Sequence, residues 1–473
     1  MFVVASASGK LTLTAFSYFC SHSFCLGDDM GPLSAGKVEK LSILLAHMPV
    51  ERVEVLVDLA QEIDPGMARM LEFCRYGADG AASRLFFLPL CDVIGDSTIV
   101  EPSKALIPES LLVPLWNWIS DLDPEAAKAA MDAASSFTDK PVDEPLDDTR
   151  ARVAAAMLKA LDGLEHEPRE SKRLRQQLGV TRFDEVRNIA GMLNSIPALR
   201  DALDGLPDEI EEMGDEVCAE LRDRYEQAIE EKPESGVWVL LMIMAKVYKP
   251  WRMLRVFERI ARREDDFLLT HTDMSSIGDA LLGDAEFHLK GFQSAPRTPE
   301  AVESAVKAVT QFAAVTVGMT REIGIRKDGA WGRRLFELRN AASQQMERIH
   351  EESRRLFERA LPETGPRRRY KDIPHPGEPA FDEAEAVCAF LYRVKDDAAR
   401  AAVGNAHALL LEEFKDATEK LGEGILARLR RNVSDDEEAD LVRLREVTRI
   451  LDILGMRSVG EVLLRRAAAA QAA

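Results

Sequence analysis

The sequence predicts an all-α, multi-domain protein, built either as helical bundles or as an irregular α-solenoid. Three observations carry that expectation. Apolar residues recur at steps of three and four through most of the chain after Met30, capping side chains precede prolines at several helix starts, and alternating strand-like patterns are scarce. The chain has 473 residues, room for about three domains. A hydrophobic content of 46% excludes a wholly disordered chain.

Residues 1–29 read as a poorly ordered extension. Their apolar run over 11–26 is interrupted by Ser21, His22 and Ser23, and no small-residue cleavage pattern follows, which argues against an export signal. An N-terminal helical domain is expected over 30–137. It opens on a helix carrying Val38, Leu41 and Leu45, followed by one on which Val53, Leu56, Val57, Ala60 and Ile63 share a face. Pro65 and Gly66 then predict a turn. Gly31, Gly36 and Lys37 fall short of a phosphate-binding loop, because Val38 stands where a hydroxyl would hold magnesium. Only 2–5 and 98–100 have a modest claim to strand.

Residues 138–149 are acidic with two prolines and read as a linker, and 362–380 form a second, proline- and arginine-rich one. Between them, 150–361 holds one or two central helical domains, and 381–473 a C-terminal helical domain. Asp123 before Pro124 and Thr298 before Pro299 pair a capping side chain with a proline at the first helical position. Ser434 with Glu437, and Ser458 with Glu461, match the capping box. Leu178-Gly179 and Leu454-Gly455 each read as a helix ended by glycine. The run 237–247 is too short for a membrane span and reads as a buried helix.

Charge narrows the function classes. Lys and Arg number 61 against 81 Asp and Glu, a net charge of −20, so no nucleic-acid partner is expected. The acid is uneven: 201–235 carries 14 acidic and 3 basic residues, whereas 245–263 carries 7 basic and 1 acidic. Within the latter, Arg252, Arg255, Arg259 and Arg262 climb one helix face while Met253, Val256, Phe257 and Ile260 form an apolar stripe. This basic face suits an acidic protein partner, or it balances the acidic segment inside the fold. Peripheral attachment to an anionic membrane is a third reading. Trp116 and Trp118, two apart, point in different directions on a helix; an exposed one would mark an interaction surface.

Two clusters carry the metal alternative. His271, Asp273, Glu286 and His288, with Asp279 and Asp284 between them, form the densest group of imidazoles and carboxylates. Glu347 and His350 share a helix face, as in one half of a di-iron bundle site, but no second such pair exists. No zincin, hydrolase-elbow or dinucleotide string is present. Six cysteines lie scattered with no paired spacing, which fits a reducing cytoplasm. The expectation is therefore a non-catalytic adaptor, scaffold or regulator that binds another protein and needs no cofactor; the alternative is a helical metal-dependent protein holding a divalent ion.

Overall fold

The computed structural model describes residues 35–96, 98–136, 144–261, 275–361, 378–400, 404–431 and 436–471. These residues form twenty α-helices, short 3-10 turns and one two-stranded parallel pair, so the fold is all-α and multi-helical. None of the helices is long and apolar enough to cross a membrane.

The chain forms two compact units whose limits cut across the expected domains. The first comprises the described residues up to Leu88 with Trp116–Ala156; the second comprises Pro89–Leu115 and Met157–Ala473. The proline-rich segment before 381 therefore separates no compact unit, because helices on both of its sides pack together. In sequence order the first helices are α1 (Ala35–Ala46), α2 (Val50–Ile63), α3 (Pro65–Phe87), α4 (Glu109–Leu122), α5 (Pro124–Ala134) and α6 (Asp147–Gly163).

In the first unit Leu41, Leu45, Val53, Ala60, Ala68, Met70, Leu71 and Cys74 form a continuous core. Asp64 caps α3, accepting from the Gly66 and Met67 amides at 2.8 and 3.2 Å, so the expected turn is compressed into a helix start on Pro65. Gly77, at φ 74°, breaks α3 internally. Both tryptophans are buried. Trp116 donates its indole N–H to Asp79 at 2.8 Å and leans on Phe86, while Trp118 is 9% exposed, so neither offers an interaction surface. Arg150 is fully buried, donating to the Phe86 and Leu85 carbonyls and pairing with Asp147.

The second unit contains β1 (Ile94–Gly95) and β2 (Ile107–Pro108), with Ile94 opposite Ile107. The expected strand at 98–100 is a turn instead, held by Asp96 accepting from both the Thr98 amide and hydroxyl. The other expected strand, 2–5, lies outside the described residues. Helices α7 (Pro168–Leu178), α8 (Asp184–Asn194), α9 (Ile196–Leu203), α10 (Asp215–Glu231), α11 (Gly236–Lys246) and α12 (Leu254–Ala261) follow. As expected, α11 is a core helix, buried from Val239 through Met244, and Gly179 closes α7 in the left-handed conformation at φ 72°.

The remainder is α13 (Ser275–Lys290), α14 (Pro299–Glu322), α15 (Ala330–Ala360), α16 (Pro379–Arg393), α17 (Lys395–Arg400), α18 (Gly404–Arg430), α19 (Glu437–Ile453) and α20 (Arg457–Gln471). The caps at Asp123 and Thr298 form as expected. The Ser458 capping box does not, and Ser434 lies outside the described residues. Asp436 caps α19, and Ser458 lies inside α20, whose first residue Arg457 pairs with Glu461.

Three of the five tryptophans lock helices together. Trp238, Trp251 and Trp331 each press against a helical glycine, Gly191, Gly318 and Gly278 respectively, so closely that a Cβ there would clash with the indole. Along α15 and α18, His350 meets His407 and Phe357 stacks on Phe414, both pairs advancing by seven residues. The two helices therefore run in the same direction with a heptad spacing.

Candidate functional site

Among the described residues, those expected to bind metal do not converge. His271 and Asp273 lie outside the described residues. Glu286 is tied to Arg334 at 2.8 Å, and Asp279 to the same arginine at 3.0 Å. His288 points inward instead, 5% exposed, with Nε2 3.6 Å from Glu101. Glu347 is exposed while His350, three residues on, is buried. Among the described residues no group of three or more histidine, cysteine or acidic side chains could hold a metal ion.

What α13 buries is a polar clasp. Asp284, one turn before His288, accepts the Ser103 amide at 2.8 Å. Burial pushes the Asp284 carboxyl up to about 7, although the nearby Ser103 hydroxyl and amide pull the other way. The Ser103 hydroxyl makes no aligned hydrogen bond. Burial also lowers the His288 pKa, against the pull of Glu101. The cluster is enclosed, with Ser103 fully buried and Asp284 1% exposed, so it fastens the 101–104 turn to α13.

His350 belongs to a hydrogen-bond chain across three helices. His407 Nε2 lies 2.7 Å from the Leu391 carbonyl, which can only accept, so this nitrogen carries the proton. In the neutral ring Nδ1 then accepts from His350 Nε2, 3.0 Å away. Burial, with the neighbouring His407 and Arg354, pushes the His350 pKa down to about 4. Both facing nitrogens are consumed by this chain, leaving neither as a metal ligand.

The basic face of α12 is engaged within the fold. Arg255 pairs with Glu322 of α14, and Arg259 with Asp215 at the start of α10, inside the acidic segment. Met253, Val256 and Phe257 are buried beneath them. Arg252 is half-buried in the preceding 3-10 turn, and Arg262 lies outside the described residues.

An open site does form elsewhere, on residues not expected to act. Arg297, Arg348, Glu351, Glu352, Arg355, Leu356 and Arg359 line a cleft of about 580 Å³. On α15, positions 348, 352, 355 and 359 follow steps of four, three and four, which puts them on one stripe. Leu356 is buried and forms the floor. The opposite wall is the segment leading into α14, held in place by Glu352, which accepts the Ala295 amide at 3.0 Å and pairs with Arg297 at 2.8 Å. Burial pushes the Glu352 carboxyl up, yet these partners outweigh it and its pKa ends below the ordinary carboxylate value.

The four guanidiniums differ in how they are held. Glu383 of α16 pairs with Arg359 and stands 3.8 Å from Arg297. Among the described residues Arg355 has only Glu351 at 3.9 Å, with both side chains mostly exposed. Arg348 is exposed and bonds to the Gln345 amide oxygen, with no carboxylate partner among the described residues. The α15 stripe was legible as helical spacing; Arg297, some fifty residues away, was not.

Compared with known proteins, the chain matches no family model, no curated protein and no solved structure. The geometry of the cleft is therefore the basis for a functional reading.

Proposed function

We propose that this protein is a non-catalytic helical adaptor or scaffold of the cytoplasm that holds another protein at the arginine cleft of α15. The observation that carries the reading is Arg348, an exposed guanidinium without a carboxylate partner among the described residues, in a cleft lined by three further arginines. Arginine presents a planar fork of donors and keeps its charge, which suits it to binding anionic groups of a partner. The other dense groups of titratable side chains are consumed in the fold: the Asp284 clasp, the His350–His407 chain and the ion pairs of α12.

Attachment to a membrane through the 252–262 face is not part of this reading, since Arg255 and Arg259 are held by Glu322 and Asp215. Nucleic acid is disfavoured by the net charge of −20. A cytoplasmic setting is supported by the scattered cysteines, of which Cys74, Cys91, Cys218 and Cys388 are free thiols.

Native mass spectrometry of complexes isolated on the tagged full-length chain tests the reading. A protein partner at fixed stoichiometry is expected. A chain that carries a stoichiometric metal ion or small molecule and no protein would contradict it.

A further inference from the structure

We infer that the α15 cleft takes an extended acidic peptide segment with carboxylates at alternate positions along one face. The inference rests on the adaptor reading and specifies the chemistry of the partner.

Three of the guanidiniums are spread along the cleft. At 1.5 Å of rise per residue, Arg348 and Arg355 are separated by about 10 Å along α15, and Arg348 and Arg359 by about 16 Å. A single phosphate needs its donors to converge on one point within hydrogen-bond reach. Charges strung out over this length fit a linear polyanion. An extended chain advances about 3.3 Å per residue with successive side chains on opposite faces, so a segment of about seven residues with carboxylates at alternate positions on one face spans the three arginines.

The linear polyanion is a polypeptide. Glu351 and Glu352 sit among the arginines, so an uninterrupted phosphate backbone would meet two carboxylates in the same cleft, while Glu383 behind Arg297 and Arg359 already neutralises part of their charge. A peptide places its carboxylates only where the guanidiniums are and neutral residues opposite Glu351 and Glu352. Among the described residues, the cleft lining carries no aromatic side chain on which single-stranded bases would stack. The buried Leu356 floor receives the apolar part of the peptide backbone and its side chains.

The test uses the full chain and a fluorescent Gly-Ser decapeptide bearing glutamates at its second, fourth, sixth and eighth positions. Three other probes are compared with it: the same peptide with lysine in place of glutamate, a peptide with one phosphoserine, and a ten-nucleotide oligouridine. Saturable binding of the glutamate peptide is expected, weakened about tenfold by Arg348→Glu and again by Arg355→Glu. Arg457→Glu, far along the chain on exposed α20, is expected to leave it unchanged. Circular dichroism verifies that each variant folds, and Arg355→Glu alone decides the matter if Arg348→Glu does not.

Absence of binding, equal binding by the cleft variants, or tighter binding of the phosphoserine peptide or the oligouridine would overturn the inference. Failure of the peptide while a protein partner is still captured refutes the acidic-segment chemistry and leaves the adaptor reading standing. Cleft-dependent peptide binding with no captured partner refutes the adaptor reading instead.

Discussion

His350 Nε2 lies 3.0 Å from His407 Nδ1 inside the packed face between α15 and α18, and the far nitrogen of His407 donates to the Leu391 carbonyl. Both rings are neutral in the folded protein. Burial lowers both pKa values, that of His350 to about 4. The unfolded chain therefore binds these protons first as pH falls below about 6.5. The pair's contribution is fully present above that pH and is lost as pH drops towards 4. Denaturant titrations from pH 7.5 to 4 are expected to show stability falling by up to about 3 kcal/mol for His350 alone, with most of that slope removed in His350→Gln.

Asp284 acts in the opposite direction. Its folded pKa, raised to about 7, lies above the unfolded value, so the proton it keeps stabilises the fold at low pH and that gain fades as pH rises from about 4 to 7. Asp284→Asn keeps an acceptor for the Ser103 amide without a charge to desolvate. It is expected to match or exceed the wild type in stability at pH 8. Asp284→Ala orphans that amide and is expected to cost about 1–3 kcal/mol. Thermal unfolding at pH 5 and pH 8 separates the three proteins.

The glycines beneath the tryptophans have no room to grow. A Cβ at Gly278 would enter the Trp331 ring between α13 and α15. Gly278→Ala is expected to destabilise by about 1–3 kcal/mol or more, although alanine favours helix intrinsically. Gly163→Ala, where nothing lies within 4 Å, serves as the control and is expected to be close to neutral or stabilising. Urea midpoints of the two variants decide.

The two α12 ion pairs should separate in the same kind of measurement. Arg259 pairs with Asp215, which is 92% exposed, so Arg259→Ala is expected to change stability by less than about 0.5 kcal/mol. Glu322, the partner of Arg255, is 7% exposed and would be left buried without its cation. Arg255→Ala is expected to cost about 1–3 kcal/mol.

Much of the fold was legible because helix formation is local. The stripe through Val53 and Ala60, the caps at Asp123 and Thr298, and the glycine ends at Gly179 and Gly455 depend on residues a few positions apart. The Ser458 capping box failed because the pattern fixes a spacing but not where the helix starts: α20 begins at Arg457, so Ser458 lies inside it. The unit limits were missed because packing, unlike composition, joins 116–156 to the first helices.

The site was less legible for a related reason. Glu347 and His350 share a nominal face, yet three residues are about 300° of turn, enough to leave one in solvent and bury the other against His407. Nothing local links position 350 to 407, or Arg297 to Glu352. Within the basic cluster seen in sequence at 245–263, Arg255 and Arg259 proved to be bound by acids distant in the chain, whereas the arginine left open, Arg348, lay among glutamates and looked balanced.

The most direct test of the adaptor claim is quantitative affinity isolation of the full chain from a lysate of its native cells, wild type beside the double variant Arg348→Glu with Arg355→Glu, at low and at high salt. The expected result is a stoichiometric protein partner on the wild type, retained at low salt, reduced at high salt, and lost from the double variant at both. A partner retained equally by the double variant, or a wild type that captures none under either condition, would contradict the claim.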